Sequence, residues 1–278
     1  MVVIITDSVA DLPSEIAQEL GITVVPLNVQ FGNETYRDRV DLTGDDFYHR
    51  LESSPKLPTT SAPSPGAFAE VFDNLATKYN EIMGIFLARK LSSTYDAAVQ
   101  GVKLMKRKCW AEVVDSTLAV MGQGLLVIEA AKKAIAGASL DELAGTISKT
   151  IPHIHVRATL DTLKYLARGG RIGKAQALLG SMLNINPILG IKDGEAFPST
   201  VTRSRAKAAD WLFRFAAKFN RVKAMAVEHG SNVAEAEALA KRMASIFPHV
   251  PLYLSSVSPV IGTHAGPNVL AVTILEED

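Results

Sequence analysis

Cysteine is nearly absent from this sequence: 278 residues carry one thiol, Cys109. A lone thiol closes no internal disulfide, so a reducing compartment, the cytoplasm, is expected. Net charge is absent as well, because 29 Lys+Arg balance 29 Asp+Glu. Without a positive field, nucleic-acid binding driven by counterion release is not expected. Long apolar runs are missing too. The most apolar window, 118–131, contains Gln123 and Glu129 and falls short of the ~20 residues of a membrane span. Met1 to Ile5 meets Asp7 at once, with no basic start, which is unlike a signal peptide. Internal repeats, charge blocks and flexible linkers are also lacking, and 19 Gly with 13 Pro is ordinary usage. What remains is a soluble globular chain, 47% apolar and 21% charged, whose length suggests about two domains at ~150 residues each.

The first part of the chain alternates strands with helices. Val2-Val3-Ile4-Ile5 is a short apolar run typical of a strand buried on both faces. Pro13 opens a helix that Gly21 closes, and a second strand begins at Ile22. Thr43 to Asp46 resembles a capping box, and 55–66 reads as a rigid polar loop rich in proline. Ser64 and Pro65 fit the N-cap and first turn of the next helix. Strands are expected at 81–87 and 110–114, with a helix over 94–106 between them and a long apolar helix after Asp115-Ser116-Thr117. Ser139 to Glu142 is a further capping box. This grammar implies an N-terminal parallel-sheet βαβ domain over residues 1–151.

After Pro152 the pattern changes. His153 to Thr159 alternates as a strand, and 160–167 reads as a helix stopped by Gly169-Gly170. Asp193-Gly194 between two apolar runs is a hairpin signal. Helices over 204–219 and 232–247 alternate with strands at 222–228, 251–254 and 269–275. The expectation is a C-terminal mixed-sheet α+β domain over residues 152–278.

Polar clusters sit where strands end: Thr6-Asp7-Ser8, Thr59-Thr60-Ser61, Ser92-Ser93-Thr94 and Asp115-Ser116-Thr117. Open parallel sheets bind ligands beyond the carboxyl ends of their strands, and hydroxyls beside helix starts form an anion site. Simple helix capping explains each cluster singly. Ser92 or Ser93 with His264 offers two members of a hydrolase triad, but no Gly-x-Ser-x-Gly elbow accompanies them. His153 and His155 share a strand face without a third metal ligand at a recognisable spacing. The glycines of 169–174 read as a helix C-cap and turn rather than a phosphate loop, which leaves Arg171 unexplained. Arg203 and Arg205 open a helix against its dipole, and Gly262 to Asn268 reads as a loop between two strands that does not account for His264.

Taken together, these segments resemble the DegV family of bacterial fatty-acid-binding proteins. The likeness rests on Thr6 to Pro13, Pro26 to Val29, Pro58 to Ser64, Leu91 to Tyr95, Leu163 to Ile172 and Gly262 to Pro267, in family order along nearly the whole chain. It implies two α/β domains with a lipid tunnel between them, holding one long-chain fatty acid such as palmitate. By the same resemblance, Thr60 and Ser92 bind the carboxylate, while Arg171, Arg203 and His264 supply supporting head-group or partner contacts. The implied role is a non-catalytic carrier without cofactor or metal. It presents the acid to an ATP-dependent fatty acid kinase that forms an acyl phosphate for phospholipid synthesis. Three positions depart from the family pattern: Ala62 replaces Gln, Ser93 replaces Gly, and Asn268 replaces Gly. The competing expectation is an enzyme using the same crevice, either an acyl-ester hydrolase or a dihydroxyacetone-kinase-like protein. On the carrier reading, an apolar tunnel ends at Thr60 and Ser92, with Arg171, Arg203 and His264 nearer its mouth.

Overall fold

A computed structural model describes residues 1–54, 56–179 and 185–277. Pro55, the first residue of the proline-rich loop, lies outside them. The first part runs β1 (Val2–Asp7), α1 (Ser14–Glu19), β2 (Thr23–Val25), β3 (Asn28–Phe31), β4 (Glu34–Arg37), α2 (Gly44–Ser53), β5 (Thr59–Ser61) and α3 (Pro65–Leu75). It continues with β6 (Glu81–Phe86), α4 (Thr94–Leu104), β7 (Trp110–Asp115), α5 (Val120–Ile135) and α6 (Leu140–Thr150). Then follow β8 (Ile154–Thr159), α7 (Lys164–Arg168), β9 (Asn186–Lys192), β10 (Glu195–Thr202) and α8 (Arg205–Ala216). The last elements are β11 (Val222–His229), α9 (Val233–Ile246), β12 (Leu252–Ser256), α10 (Pro259–Ala265) and β13 (Leu270–Glu276).

Local signals act where the sequence places them. Ser64 accepts from the Ala67 amide at 3.1 Å, capping α3 with Pro65 in its first turn. Ser139 and Glu142 complete a reciprocal capping box on α6. Asp193 and Gly194, at φ 52° and 77°, make the left-handed turn that folds β9 back on β10.

A parallel sheet in the order β2-β1-β6-β7 lies wholly in the first part of the chain. A mixed sheet, β10-β9-β8-β13-β11-β12, lies wholly in the second, with β11 and β12 parallel and the other pairs antiparallel. Between the two sheets runs α5, which is apolar nearly all round and buried on every side from Val120 to Ala131. It packs on β1 and also on β8, β11 and β13. Close approach requires Gly122, since a Cβ there would stand 2.6 Å from the Val156 side chain. One continuous core thus joins Met83, Leu126, Ile154 and Ala226 across both sheets. On the far side of the parallel sheet, α3 and α4 bury Phe68, Phe72 and Ala98 against Phe86. On the far side of the mixed sheet, α8 and α9 bury Leu212 and Leu239 against Met225 and Val272.

Several expectations are corrected here. A small antiparallel sheet, β4-β3-β5, takes in Thr59 to Ser61, which the sequence suggested were loop. His153 sits in a short 3₁₀ turn ahead of β8, so the two histidines do not share its face. His155 instead pairs with Glu276 at 3.2 Å and lies against the Phe219 ring. Gly262 to Ala265 belongs to α10 and is not a loop. Arg205 meets Glu235 at 2.7 Å and donates to the Asn268 carbonyl at 2.6 Å, which offsets its unfavourable place at the start of α8. No helix among the described residues is long and apolar enough to cross a membrane.

Candidate functional site

A cavity of about 400 Å³ opens where the ends of the parallel strands face β8, β9 and β13, a size usual for small-molecule sites. Its wall is apolar, with Leu27, Leu87, Val156, Leu189 and Val260 typical of it. Polar groups come from few places: Thr60 and Ser61 on β5, Ser92 and Ser93 before α4, Arg171 after α7, and His264 on α10. The backbone is strained beside it, since Thr117 and Val120, both β-branched, lie at φ 55° and 53° around the start of α5.

Within this group the Thr60 hydroxyl and His264 Nε2 are hydrogen-bonded at 2.9 Å. Burial, reinforced by the neighbouring Arg171 charge, pushes the His264 imidazole down to about 4, so the ring is neutral near pH 7. Its Nδ1 is buried with no hydrogen-bond partner among the described residues. Ser92 Oγ is paired with Thr94 Oγ1 at 2.9 Å and accepts from the Thr94 amide at 3.3 Å. Arg171 donates from Nε to the Leu91 carbonyl at 3.0 Å and from Nη1 to Gly169 at 2.7 Å, tying the Ser92 loop to the end of α7. This explains an arginine that the glycine pattern around it did not. Ser93 has φ −75° and ψ 5°, a conformation open to any residue, so its departure from Gly strains nothing.

Thr60, Ser92, Arg171 and His264 therefore border one cavity. Arg203 does not border it; it stands exposed between β10 and α8. His264 lies beside Thr60, in contact with it, and both are half-buried. The lead that sequence reasoning passed over is Ser258-Pro259, the same start signal as Ser64-Pro65, which announces α10 and so places His264 on a helix face.

The other two polar clusters brace the framework. Asp7 accepts from the Val9 and Leu87 amides at 2.9 Å and from Gln123 at 3.1 Å, and Asp115 accepts from the Thr117 amide at 2.8 Å. Burial pushes Asp7 and Asp38 up to about 6 and Asp11 to about 7, and lifts Glu228 well above the usual carboxylate range. Unfolded carboxyls titrate near 4, so from about pH 4 to pH 7 the folded chain holds protons that the unfolded chain has lost, and stability falls as pH rises. The depressed His264 and His155 act in the opposite sense, but four raised carboxyls outweigh two imidazoles. Tm is therefore expected to be higher at about pH 5 than at about pH 8. Glu228→Gln, which keeps an acceptor for the Met121 amide, should narrow the gap. A wild-type Tm that climbs steadily between those two pH values contradicts this account.

Comparison with known proteins fits the geometry. The sequence model of the DegV family matches residues 1–277. A DegV domain-containing protein of Caldanaerobacter subterraneus is 34% identical over 282 residues, covering 99% of each chain. Among solved structures, DegV of Bacillus subtilis, described as a fatty acid binding protein, superposes with TM-score 0.91 at 28% identity, covering 99% of both chains. A DegV family protein of Thermus thermophilus, described by its fatty acid binding, gives 0.89 at 28% identity, again over 99% of both. A stearic-acid-binding protein of Eubacterium ventriosum gives 0.91 at 25% identity over 99% of this chain and 98% of that one. With the family model spanning the chain and both sheets superposing, the chain belongs to the DegV family.

Proposed function

We propose that this protein binds one long-chain fatty acid, of the palmitate or stearate class, with its carboxylate at Thr60 and Ser92 and its acyl chain in the cavity. One observation carries the reading: an apolar cavity whose polar groups gather around a Thr60–His264 pair with an unsatisfied imidazole nitrogen. Each buried CH₂ contributes ~0.8 kcal/mol, so the chain supplies most of the affinity. A carboxylate enters such a site only with hydrogen-bond donors, and the Ser92 hydroxyl, a Thr60 hydroxyl freed to donate by accepting from His264 Nε2–H, and the nearby Arg171 charge meet that need. The stearic-acid-binding relative supports the ligand class.

The role is that of a carrier. A Ser–His hydrolase requires its serine against the base, whereas His264 meets Thr60 and Ser92 turns to Thr94. The bound acid is presented to a separate ATP-dependent fatty acid kinase, which forms an acyl phosphate for phospholipid synthesis. Arg171 at the cavity and the exposed Arg203 are the contacts assigned to that exchange. We further take residues 1–151 and 152–278 as the two domains, each with its own sheet, working in the cytoplasm, as the lone Cys109 suggests.

Titration of wild type and Ser92→Ala with a fluorescent long-chain fatty acid tests the reading. Wild type should bind with one-to-one stoichiometry and show no turnover of acyl esters. Ser92→Ala should raise Kd roughly ten- to a hundredfold, since a hydrogen bond to a charged group contributes ~1.5–3 kcal/mol. Because Ser92 also caps the Thr94 amide, stability should drop by about 1 kcal/mol. Unchanged affinity with a lowered Tm assigns Ser92 to capping alone, and a wild type that binds no fatty acid removes the proposed function.

A further inference from the structure

Arg39 lies among three buried carboxyl groups, Asp11, Asp38 and Glu228. Its Nη2 donates to Asp11 Oδ1 at 3.1 Å and also to the Ser256 carbonyl. Asp11 Oδ1 accepts in addition from the Ser258 amide at 3.1 Å, and the Asp11 carbonyl accepts the Ser255 hydroxyl. Tyr48 donates to the Val257 carbonyl at 3.1 Å. Residues 255–258 are thus held by side chains and backbone from the first part of the chain, immediately before α10 begins.

The cluster is poorly built as a stability device. Asp11 Oδ2, Asp38 Oδ1, Arg39 Nε and Ser258 Oγ are buried without a hydrogen-bond partner among the described residues. Asp11 and Arg39, neither of them glycine, both take left-handed backbone, at φ 51° and 60°. A buried ion pair contributes little beyond well-packed apolar side chains, and such strain persists only where the surroundings impose it. What the pair does supply is a fixed place for the start of α10. That helix is short, and its far end carries His264 to Thr60.

We propose that Asp11 and Arg39 are positioning residues for the carboxylate site: their ion pair fixes α10 and through it the hold of His264 on Thr60 and the bound head group. The proposal rests on the fatty-acid reading above. The predicted mark is selective: weakening the pair harms recognition of the carboxylate and spares the apolar cavity.

The test measures Kd for hexadecanoic acid and for hexadecanol in wild type, Asp11→Asn, His264→Ala and the double variant. Wild type should prefer the acid; no preference, or no binding of either, overturns the fatty-acid reading itself. Asp11→Asn should weaken the acid about tenfold, which corresponds to about 1.4 kcal/mol, and change the alcohol less than twofold. In the His264→Ala background the same substitution should have no further effect on the acid. Equal losses for both ligands, or an unchanged acid Kd in a folded Asp11→Asn, overturn the proposal while leaving the fatty-acid reading in place. Should Asp11→Asn fail to fold, Arg39→Lys keeps the charge but replaces the guanidinium whose Nη2 alone meets both Asp11 and the Ser256 carbonyl. It then carries the same comparison, with the same outcomes deciding.

Discussion

Gly169→Ala is expected to abolish most fatty-acid binding while leaving the fold intact. Gly169 ends α7 in ordinary right-handed backbone, at φ −74°, so the substitution meets no conformational barrier of its own. The obstacle is space. A Cβ at this position would stand 2.1 Å from His264 Nδ1 and 2.8 Å from its Cε1. The imidazole is the movable partner and must swing away, which breaks its 2.9 Å bond to Thr60. The carboxylate then loses a donor in an apolar cavity, and the loss of one such charged hydrogen bond is worth ~1.5–3 kcal/mol. Kd should rise by at least tenfold and up to about a hundredfold, with a Tm change of only a few degrees. Isothermal titration together with thermal melts reads both. Unchanged affinity in the folded variant would show that His264 takes no part in binding.

Phe68→Ala should have the largest effect on stability. Phe68 is fully buried on α3, meets the Phe86 ring edge-on at 5.3 Å and lies 6.3 Å from Phe72. It also fills the contact between α3 and α4, where a Cβ at Gly101 would stand 2.5 Å from its own Cβ. Truncating such a phenylalanine costs about 3–5 kcal/mol in lost transfer energy and residual cavity, a fall in Tm on the order of 10 °C for a chain of this size. Phe68 does not line the cavity, so fatty-acid affinity at 25 °C should change less than about twofold. A Tm within a few degrees of wild type would mean that the α3–α4 layer is not a stabilising core. The two substitutions form a pair: one should remove binding and keep stability, the other the reverse.

What the sequence revealed followed the range of the interactions. Ser64-Pro65, Ser139 with Glu142, and Asp193-Gly194 act within a few residues, and each element they announced is present. Alternating strands and helices likewise announced the parallel sheet. β5 was hidden because its three residues lie among prolines and are strand only through pairing with β3. α10 was hidden by Gly262, Gly266 and Pro267, although Ser258-Pro259 marked its start. The cavity residues Thr60, Ser92, Arg171 and His264 were named by family likeness, which composition and spacing alone did not supply. Arg203 was named in the same way and stands outside the cavity wall. The Asp11–Arg39 pair was invisible for a different reason: burial of charge arises only when β4, α10 and the first loop come together, and no local pattern encodes it.

Native mass spectrometry of the protein as purified from its expression host tests the central claim most directly. The account predicts a one-to-one adduct whose extra mass equals a saturated or monounsaturated fatty acid of about 16 to 18 carbons, displaced by added hexadecanoic acid and reduced in Gly169→Ala. A protein that carries no lipid and takes up none when hexadecanoic acid is supplied would contradict it.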